Sequence, residues 1–370
     1  MDGKLFLDLH VIQTVPPSCV NRDDTGSPKT AFYGGVRRAR VSSQSWKRAM
    51  RQSFKESFGD NVGIRTLRVV DLIANKIVEK NPSLDIDEAQ SMAGKLLETY
   101  GIKLKENKTK KSKESDSKIS GALMFITSKH TELLADLILS EEYGSMDPKT
   151  LKAAVKDIMM SNNSPDIILF GRMLADDPSL NVDASCQIAH AISTHKVENE
   201  YDYFTAMDDL SPEDTAGAGM IGTVEFNSST LYRYATLAVH ELAAGYVESN
   251  EIILDTIREY IRSFVLSMPT GKQNTFANRT VPDAVFISIR KDQPVNLVGA
   301  FEIPVAAKQT EGFALPSAKK MAEYENKICA DFVNPPEKTW QIGSGLEDLG
   351  PSTSLKEAIE DVIATISPEL

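Results

Sequence analysis

An α+β fold is what the patterning of this chain predicts, on three observations. Apolar alternation opens the chain at residues 4–13 and returns at 223–237 and 283–290; helical stripes fill the stretch from 64 to 160; and a glycine-flanked, aromatic segment at 198–222 interrupts the sheet pattern. Strands at both ends enclosing helices imply a sheet core with a large helical insertion and a smaller hairpin insertion. At 370 residues the chain is long enough for one large or two ordinary domains with real cores.

The opening strand places Leu5, Leu7, Leu9 and Val11 on one side and Phe6, Asp8, His10 and Ile12 on the other, a half-buried pattern that Pro16-Pro17 is expected to end. The loop to about Thr30 holds Asn21, Arg22 and the carboxylate pair Asp23-Asp24. With no third ligand nearby, that pair reads as turn chemistry and Arg22 pairing rather than a metal or acid–base site. Gly34-Gly35 lets the chain turn or lets another backbone come close. From Gln44 onward Trp46, Met50, Phe54 and Phe58 recur every four residues while Lys47, Arg51 and Lys55 form the adjacent row. One helix face therefore packs and the next is cationic. Ser42 and Ser43 stand where hydroxyls cap a helix's free amides and where those amides can receive a phosphate.

Residues 64–160 read as helical almost throughout. The stripes are Leu67, Val70, Ile73 and Ile77; Met92, Leu96 and Leu97; Leu123, Ile126, Leu133, Leu134 and Leu137; and Leu151, Val155, Ile158 and Met159. Within the block, residues 103–118 carry seven lysines, three acids and almost nothing apolar. They read as a mobile loop, either a solvating tip or a flexible hand on DNA. P-D-I-I-L-F at 165–170 reads as a strand with Gly171-Arg172-Met173 at its exit, and 183–197 fits strand and helix alike. His190 and His195, five apart, share a face in neither geometry and make no metal pair.

Tyr201, Tyr203 and Phe204, followed by acidic turns and G-A-G-M-I-G, suit either a surface loop or a projecting finger that wedges against bases. Ser249 or Asn250 caps a helix running to about Ser267, stopped by Met268-Pro269. G-K-Q-N-T-F-A-N-R at 271–279 is a basic, amide-rich loop without P-loop spacing, whose Lys272, Gln273 and Asn274 can hydrogen-bond phosphates or ribose hydroxyls. A final strand is expected at 296–304, then helices at 317–329 and 355–366 separated by a Gly/Pro-rich segment at 343–351.

Charge is distributed unevenly. The chain carries a net −11, yet between Thr25 and Lys55 there are eight Lys or Arg and no Asp or Glu, which leaves about −19 for the rest. A pI near 5.1 argues against loose coating of nucleic acid but permits a narrow track, and a glycine turn, an arginine strand and a serine-started basic helix suit a sugar-phosphate chain. Three scattered cysteines in no C-x-x-C pair indicate neither a disulfide framework nor zinc. With no apolar run of membrane length and no signal peptide at its start, the chain is expected to be soluble and cytoplasmic, without membrane contact.

S-C-V-N-R-D-D at 18–24 and F-Y-G-G-V-R-R-A-R-V-S-S-Q-S-W-K-R-A-M-R at 32–51 closely resemble the CasC family, the repeated backbone subunits of the type I-E CRISPR Cascade complex. Further matches are F-G-R-M at 170–173, I-A-H-A-I-S-T-H at 188–195, D-Y-F-T-A-M-D-D-L at 202–210, E-F-N-S-S-T-L-Y-R-Y-A at 225–235 and G-K-Q-N-T at 271–275. They fall in the family's order and span most of the chain. The resemblance implies a modified RRM-like, ferredoxin-like palm at 1–58, 181–196 and 224–370, helical fingers at 59–180 and a β-hairpin thumb at 197–223, with 183–197 a strand. It also implies a non-catalytic role with no cofactor or metal: several copies polymerise along the spacer of a crRNA, and each thumb displaces a base. The guide then pairs with target DNA in segments, alongside other Cascade subunits.

The backbone contacts so implied are Arg22, Lys29, Ser42, Gln44, Lys47 and Arg51, with Gly171 and Met173 near the displaced base and Tyr203, Phe204 and Thr205 in the thumb. Arg38 joins them from the basic strip, and Lys272 and Gln273 from the amide-rich loop. Tyr203 stands where some members have Trp, and Asp176-Asp177-Pro178 departs from the family pattern. Two rival classes are a metal-dependent ribonuclease using Asp23, Asp24 or His190, and a stand-alone RRM-type single-strand binder.

Overall fold

A computed structural model describes residues 3–106, 118–174, 176–206, 220–246, 249–307 and 310–370. The core of the lysine-rich loop, 107–117, and the acidic and glycine turns at 207–219 lie outside the described residues. The chain divides into two compact units, one of Met1–Ser53 with Cys186–Leu370 and one of Phe54–Ser185.

The first unit opens with β1 (Phe6–Ser18), β2 (Thr30–Tyr33), β3 (Val36–Val41) and α1 (Ser43–Phe58), the last running across the boundary. In the second unit follow β4 (Ile64–Thr66), α2 (Val69–Lys80), α3 (Ile86–Tyr100), β5 (Leu104–Glu106), β6 (Lys118–Ser120), β7 (Met124–Ile126), α4 (Ser128–Leu139), α5 (Pro148–Ser161) and α6 (Pro165–Phe170). The first unit resumes with β8 (Cys186–Ile188), β9 (Ala191–Ser193), β10 (Glu200–Ala206), β11 (Met220–Ala238), α7 (Val239–Ala244), α8 (Asn250–Leu266) and α9 (Gln273–Phe276). It closes with β12 (Ala284–Arg290), α10 (Ala314–Asp331), β13 (Lys338–Gly343) and α11 (Leu355–Ile366).

The first unit is a nine-stranded antiparallel sheet in the order β13-β12-β1-β11-β9-β3-β2, with β8 and β10 also paired to β11. β1 sits in its middle, its Leu9 opposite both Ala235 of β11 and Ile287 of β12. Cross-strand partners share a face, so Leu7, Leu9 and Val11 look toward α8, while Asp8, His10 and Ile12 look toward α10 and the Phe286–Phe301–Met321 cluster. Both faces of β1 are therefore buried rather than one, each fully buried leucine contributing about 1.5–3 kcal/mol.

Several of the polar residues on the α10 face are bonded to one another. Asp8 accepts from the Tyr234 hydroxyl at 3.1 Å and the Val295 N–H at 2.9 Å and lies 3.7 Å from Arg290, whose guanidinium also donates to Glu325. Burial pushes the Asp8 carboxyl up to about 6 even against those partners.

The second unit buries one face each of α2, α3, α4 and α5 around Ile73, Ile77, Leu96, Leu134 and Val155. Asp85, Thr127 and Asp147 cap α3, α4 and α5 through side-chain oxygens.

Several local expectations change. β1 continues past Pro16-Pro17 because its register against β11 slips between Val15 and Ser18, where β12 no longer pairs and no donor is needed from the prolines. Leu123 and Ile126 are not helical: Ile126 belongs to β7, paired to β4, and the helix begins only at Ser128. Residues 165–170 form a helix, α6, entered through Ser164 with Pro165 at its first position; six buried residues are too few to show a period. The strand expected at 296–304 is a 3-10 turn, Leu297–Phe301, capped by Asn296, and the edge strand is β13 instead. Strands β8 and β9 place residues 186–188 and 191–193 of the ambiguous 183–197 segment in the sheet.

Candidate nucleic-acid interface

α1 is fixed to the sheet by the part of its apolar face that carries Trp46 and Met50, both fully buried. The Arg233 guanidinium of β11 lies 3.8 Å from the Trp46 ring centre and 4.8 Å from that of Phe264, and donates to Gln13 and to the Phe264 carbonyl. Burial without a carboxylate partner lowers its pKa to about 9. The helix start is tied to the preceding loop: the Ser42 N–H donates to Asn21 Oδ1 at 2.9 Å, and the buried Ser42 hydroxyl accepts from the Ser45 N–H.

The opposite side of α1 is cationic and open. Gln44, Arg48 and Lys55 are exposed, and Lys47 and Arg51 are part-exposed. Among the described residues, no carboxylate lies within ion-pair distance of Lys29, Arg37, Arg40, Lys47, Arg48 or Lys55. On the strands behind, Arg37 lies over the ring of the exposed Phe32, and Arg40 donates to the Thr30 carbonyl and lies 3.3 Å from His190.

Arg38 is the correction. It is 0% exposed, and its guanidinium donates to the carbonyls of Tyr33 (3.1 Å), Ser193 (3.1 Å) and Phe301 (2.8 Å), so it staples the β2–β3 hairpin to the sheet and cannot reach a polyanion. The two glycines of that hairpin both have positive φ, and a Cβ on Gly34 would sit 1.7 Å from the Glu302 carbonyl oxygen; the pair turns the chain and admits a close backbone at once.

The Asp23 carboxylate closes a turn, accepting from the Thr25 N–H, the Thr25 hydroxyl and the Ser27 N–H. The Thr25 hydroxyl, with the turn's backbone amides, holds it below the usual carboxylate range. His195 is buried against the Phe313 ring, bonded to the Lys196 carbonyl and the Thr230 N–H, and burial lowers its pKa. Burial, then Arg40 and Lys29, do the same to His190. Among the described residues no three His, Cys, Asp or Glu side chains gather to hold a metal.

Arg22 is exposed at the rim of the turn, and Lys272 and Gln273 are half-buried across from it at the start of α9. The thumb residues lie on β10, where Tyr203 pairs with Thr223, Phe204 with Gly222 and Thr205 with Ile221. Tyr203 is 64% exposed, with Tyr201 on the same side, while Phe204 lies over Gly222.

In the second unit Gly171 leaves α6 with φ +76, where a Cβ would meet the Val182 carbonyl oxygen at 2.9 Å. The neighbouring Arg172, which sequence reasoning passed over, is buried and donates to Leu180 O, Asn163 Oδ1 and Met159 O. That anchor leaves Met173 85% exposed. Asp177 is taken up by the Tyr100 hydroxyl at 2.6 Å.

A largely antiparallel sheet flanked by helices, with a separate helical unit, is an α+β architecture that matches subunits of CRISPR RNA-guided surveillance complexes. The chain is similar to a subunit of a solved assembly described as "CRISPR RNA-guided surveillance complex, pre-nicking", at 31% identity and a TM-score of 0.84 over 97% of this chain and 99% of that one. A second, described as "CRISPR RNA-guided surveillance complex", matches at 28% identity and a TM-score of 0.74 over 97% and 99%. The chain belongs to the CT1975-like protein family, whose model matches residues 7–365. No curated protein matches it. No helix among the described residues is long and apolar enough to cross a membrane.

Proposed function

We propose that this chain is a non-catalytic backbone subunit of a type I-E Cascade effector complex. Several copies polymerise along the spacer of a crRNA, hold its backbone through an RRM-like palm and the helical unit, and present it in segments to target DNA. The observation that carries this reading is the acid-free α1 surface on which Lys47, Arg48 and Lys55 have, among the described residues, no carboxylate within ion-pair distance, in a chain of net charge −11. Family membership and the two structural likenesses supply the setting. The exposed Met173 and Tyr203 suit side chains that meet displaced bases in a protein that holds shape and charge while base pairing reads sequence.

The test is Lys47→Glu with Arg51→Glu in the full chain, assayed by assembly on crRNA in the presence of the other subunits and by RNA integrity after long incubation with magnesium. The double variant should fold and fail to assemble, and the wild type should leave the RNA intact. Wild-type assembly by the variant overturns the basic-helix assignment, and magnesium-dependent cleavage overturns the non-catalytic one.

A further inference from the structure

On the sheet face that α10 covers, three buried ionisable side chains from three elements meet: Asp8 of β1, Arg290 of β12 and Glu325 of α10. Arg290 Nε lies 3.7 Å from Asp8 Oδ2, and the same guanidinium donates to Glu325 Oε1 and, at 2.9 Å, to the Asn334 carbonyl. One fixed positive charge therefore faces two carboxyls. With both ionised, a net negative charge would sit where none of the three side chains meets solvent, which is strongly disfavoured. No other group supplies the missing charge. Burial keeps His10 neutral by lowering its pKa to about 3, and keeps Tyr232, Tyr234, Tyr260 and the Cys329 thiol protonated by raising theirs. Asp292, just past β12, adds only negative charge, and β13 contributes the neutral Gln341.

The two carboxyls are unequally served. Asp8 accepts from the Tyr234 hydroxyl and the Val295 N–H. Glu325 Oε1 takes the guanidinium and, at 3.4 Å, the Cys329 thiol, while its Oε2 is buried with no hydrogen-bond partner among the described residues. An ionised carboxylate calls for donors at both oxygens. Burial accordingly pushes both carboxyls upward, Asp8 to about 6. The cluster also reaches beyond itself. α10 holds the turn at 299–303: a Cβ on Gly299 would meet the Tyr324 hydroxyl at 2.3 Å, and Lys320 donates to the Ile303 carbonyl at 2.6 Å. Phe301 in that turn accepts from Arg38, the residue that holds the β2–β3 hairpin.

We infer that Asp8, Arg290 and Glu325 form a proton-operated latch between the central strand and α10. The two carboxyls share one proton near neutral pH, and its release to solvent loosens α10 and, through the 299–303 turn and Arg38, the β2–β3 hairpin. The inference goes beyond the proposed function and does not depend on it. A carboxyl whose folded pKa is raised contributes its full stability below the unfolded value and loses it as pH rises through the folded one, so the latch is tight in mild acid and loose in base.

Glu325→Gln is the deciding variant. It keeps an oxygen for Arg290 and the thiol and places an amide where the unpartnered oxygen stands, a fixed mimic of the protonated side chain. Urea titration of the full chain and hydrogen exchange of α10 and the hairpin, both at pH 5 and pH 7, measure the latch. In the wild type the folding equilibrium constant should fall roughly tenfold from pH 5 to pH 7, and amide protection in α10 and the hairpin should fall with it. In Glu325→Gln the Asp8 carboxylate has Arg290 to itself, so the constant should stay within about twofold, matching wild type at pH 5 and exceeding it at pH 7. A fall as steep in the variant as in the wild type overturns the shared proton, and so does a loss of stability that is equal at both pH values. If the variant does not fold, the carboxyl-carbon NMR resonances of wild-type protein labelled at its Asp and Glu side chains decide instead. A coupled, two-step titration with one carboxyl still protonated near neutral pH upholds the latch, and ionisation of every carboxyl by pH 5 overturns it.

Discussion

Replacing Arg38 by methionine removes a guanidinium that no solvent reaches and that holds carbonyls from segments far apart in sequence, at 3.1 Å or less those of Tyr33, Ser193 and Phe301 and at 3.4 Å that of Glu302. A buried acceptor left without its donor costs about 1–3 kcal/mol, and three of them exceed what is recovered by no longer burying the cation, since methionine fills much of the same volume. A net loss of about 3 kcal/mol follows, which for a unit of this size lowers the melting temperature by about 6–12 °C. Arg37→Met, one residue earlier on an exposed side chain, should cost less than about 0.5 kcal/mol. Differential scanning calorimetry and denaturant titration of both variants measure the contrast. The reasoning is refuted if Arg38→Met stays within about 1 kcal/mol of wild type, or if Arg37→Met is the costlier of the two.

Gly34→Ala meets both a positive φ and the Glu302 carbonyl, whereas Gly35→Ala meets only the φ with open space around it; thermal melts should show a loss of at least about 2 kcal/mol for the first and about 1 kcal/mol for the second. Asp8 has a folded pKa raised from 3.8 to about 6, so the folded state holds its proton more tightly, and this contribution is complete below the unfolded value and lost as pH rises through about 6. Stability should therefore fall by about 2–3 kcal/mol between pH 4 and 6.5 in the wild type and less steeply in Asp8→Asn, read from denaturant midpoints across pH.

The two ends of the legibility scale lie close together in the chain. α1 and α11 could be read directly, because Trp46, Met50 and Phe54, or Ile359, Val362 and Ile366, repeat at helical spacing and all of them are buried. The cap at Ser249 likewise stands where a serine before an apolar stripe places it. Arg38 could not be told from its neighbours Arg37 and Arg40: what removes it from the surface is a set of carbonyls at 193 and 301, and no local pattern encodes them. The same holds for Arg172, whose acceptors come from the end of α5 and the turn that holds Leu180. α6 and β7 failed for a different reason, being buried on all sides and shorter than the period that would distinguish helix from strand. On the candidate interface, the Lys47 row was visible as an acid-free helix face, but that the loop at 20–26 and the turn at 269–272 come beside Arg48 was not.

The position of β1 sets the order in which the molecule can be made. Its partners on both sides, β11 and β12, are encoded more than two hundred residues later, so an apolar strand leaves the ribosome long before anything can cover it. At about 5–20 residues per second that wait lasts roughly ten to forty seconds. The contiguous unit Phe54–Ser185 meanwhile has all its own contacts in hand and can close first. Nascent chains stalled before residue 220 should therefore contain a protease-resistant helical body and an N-terminal segment that recruits holdase chaperones.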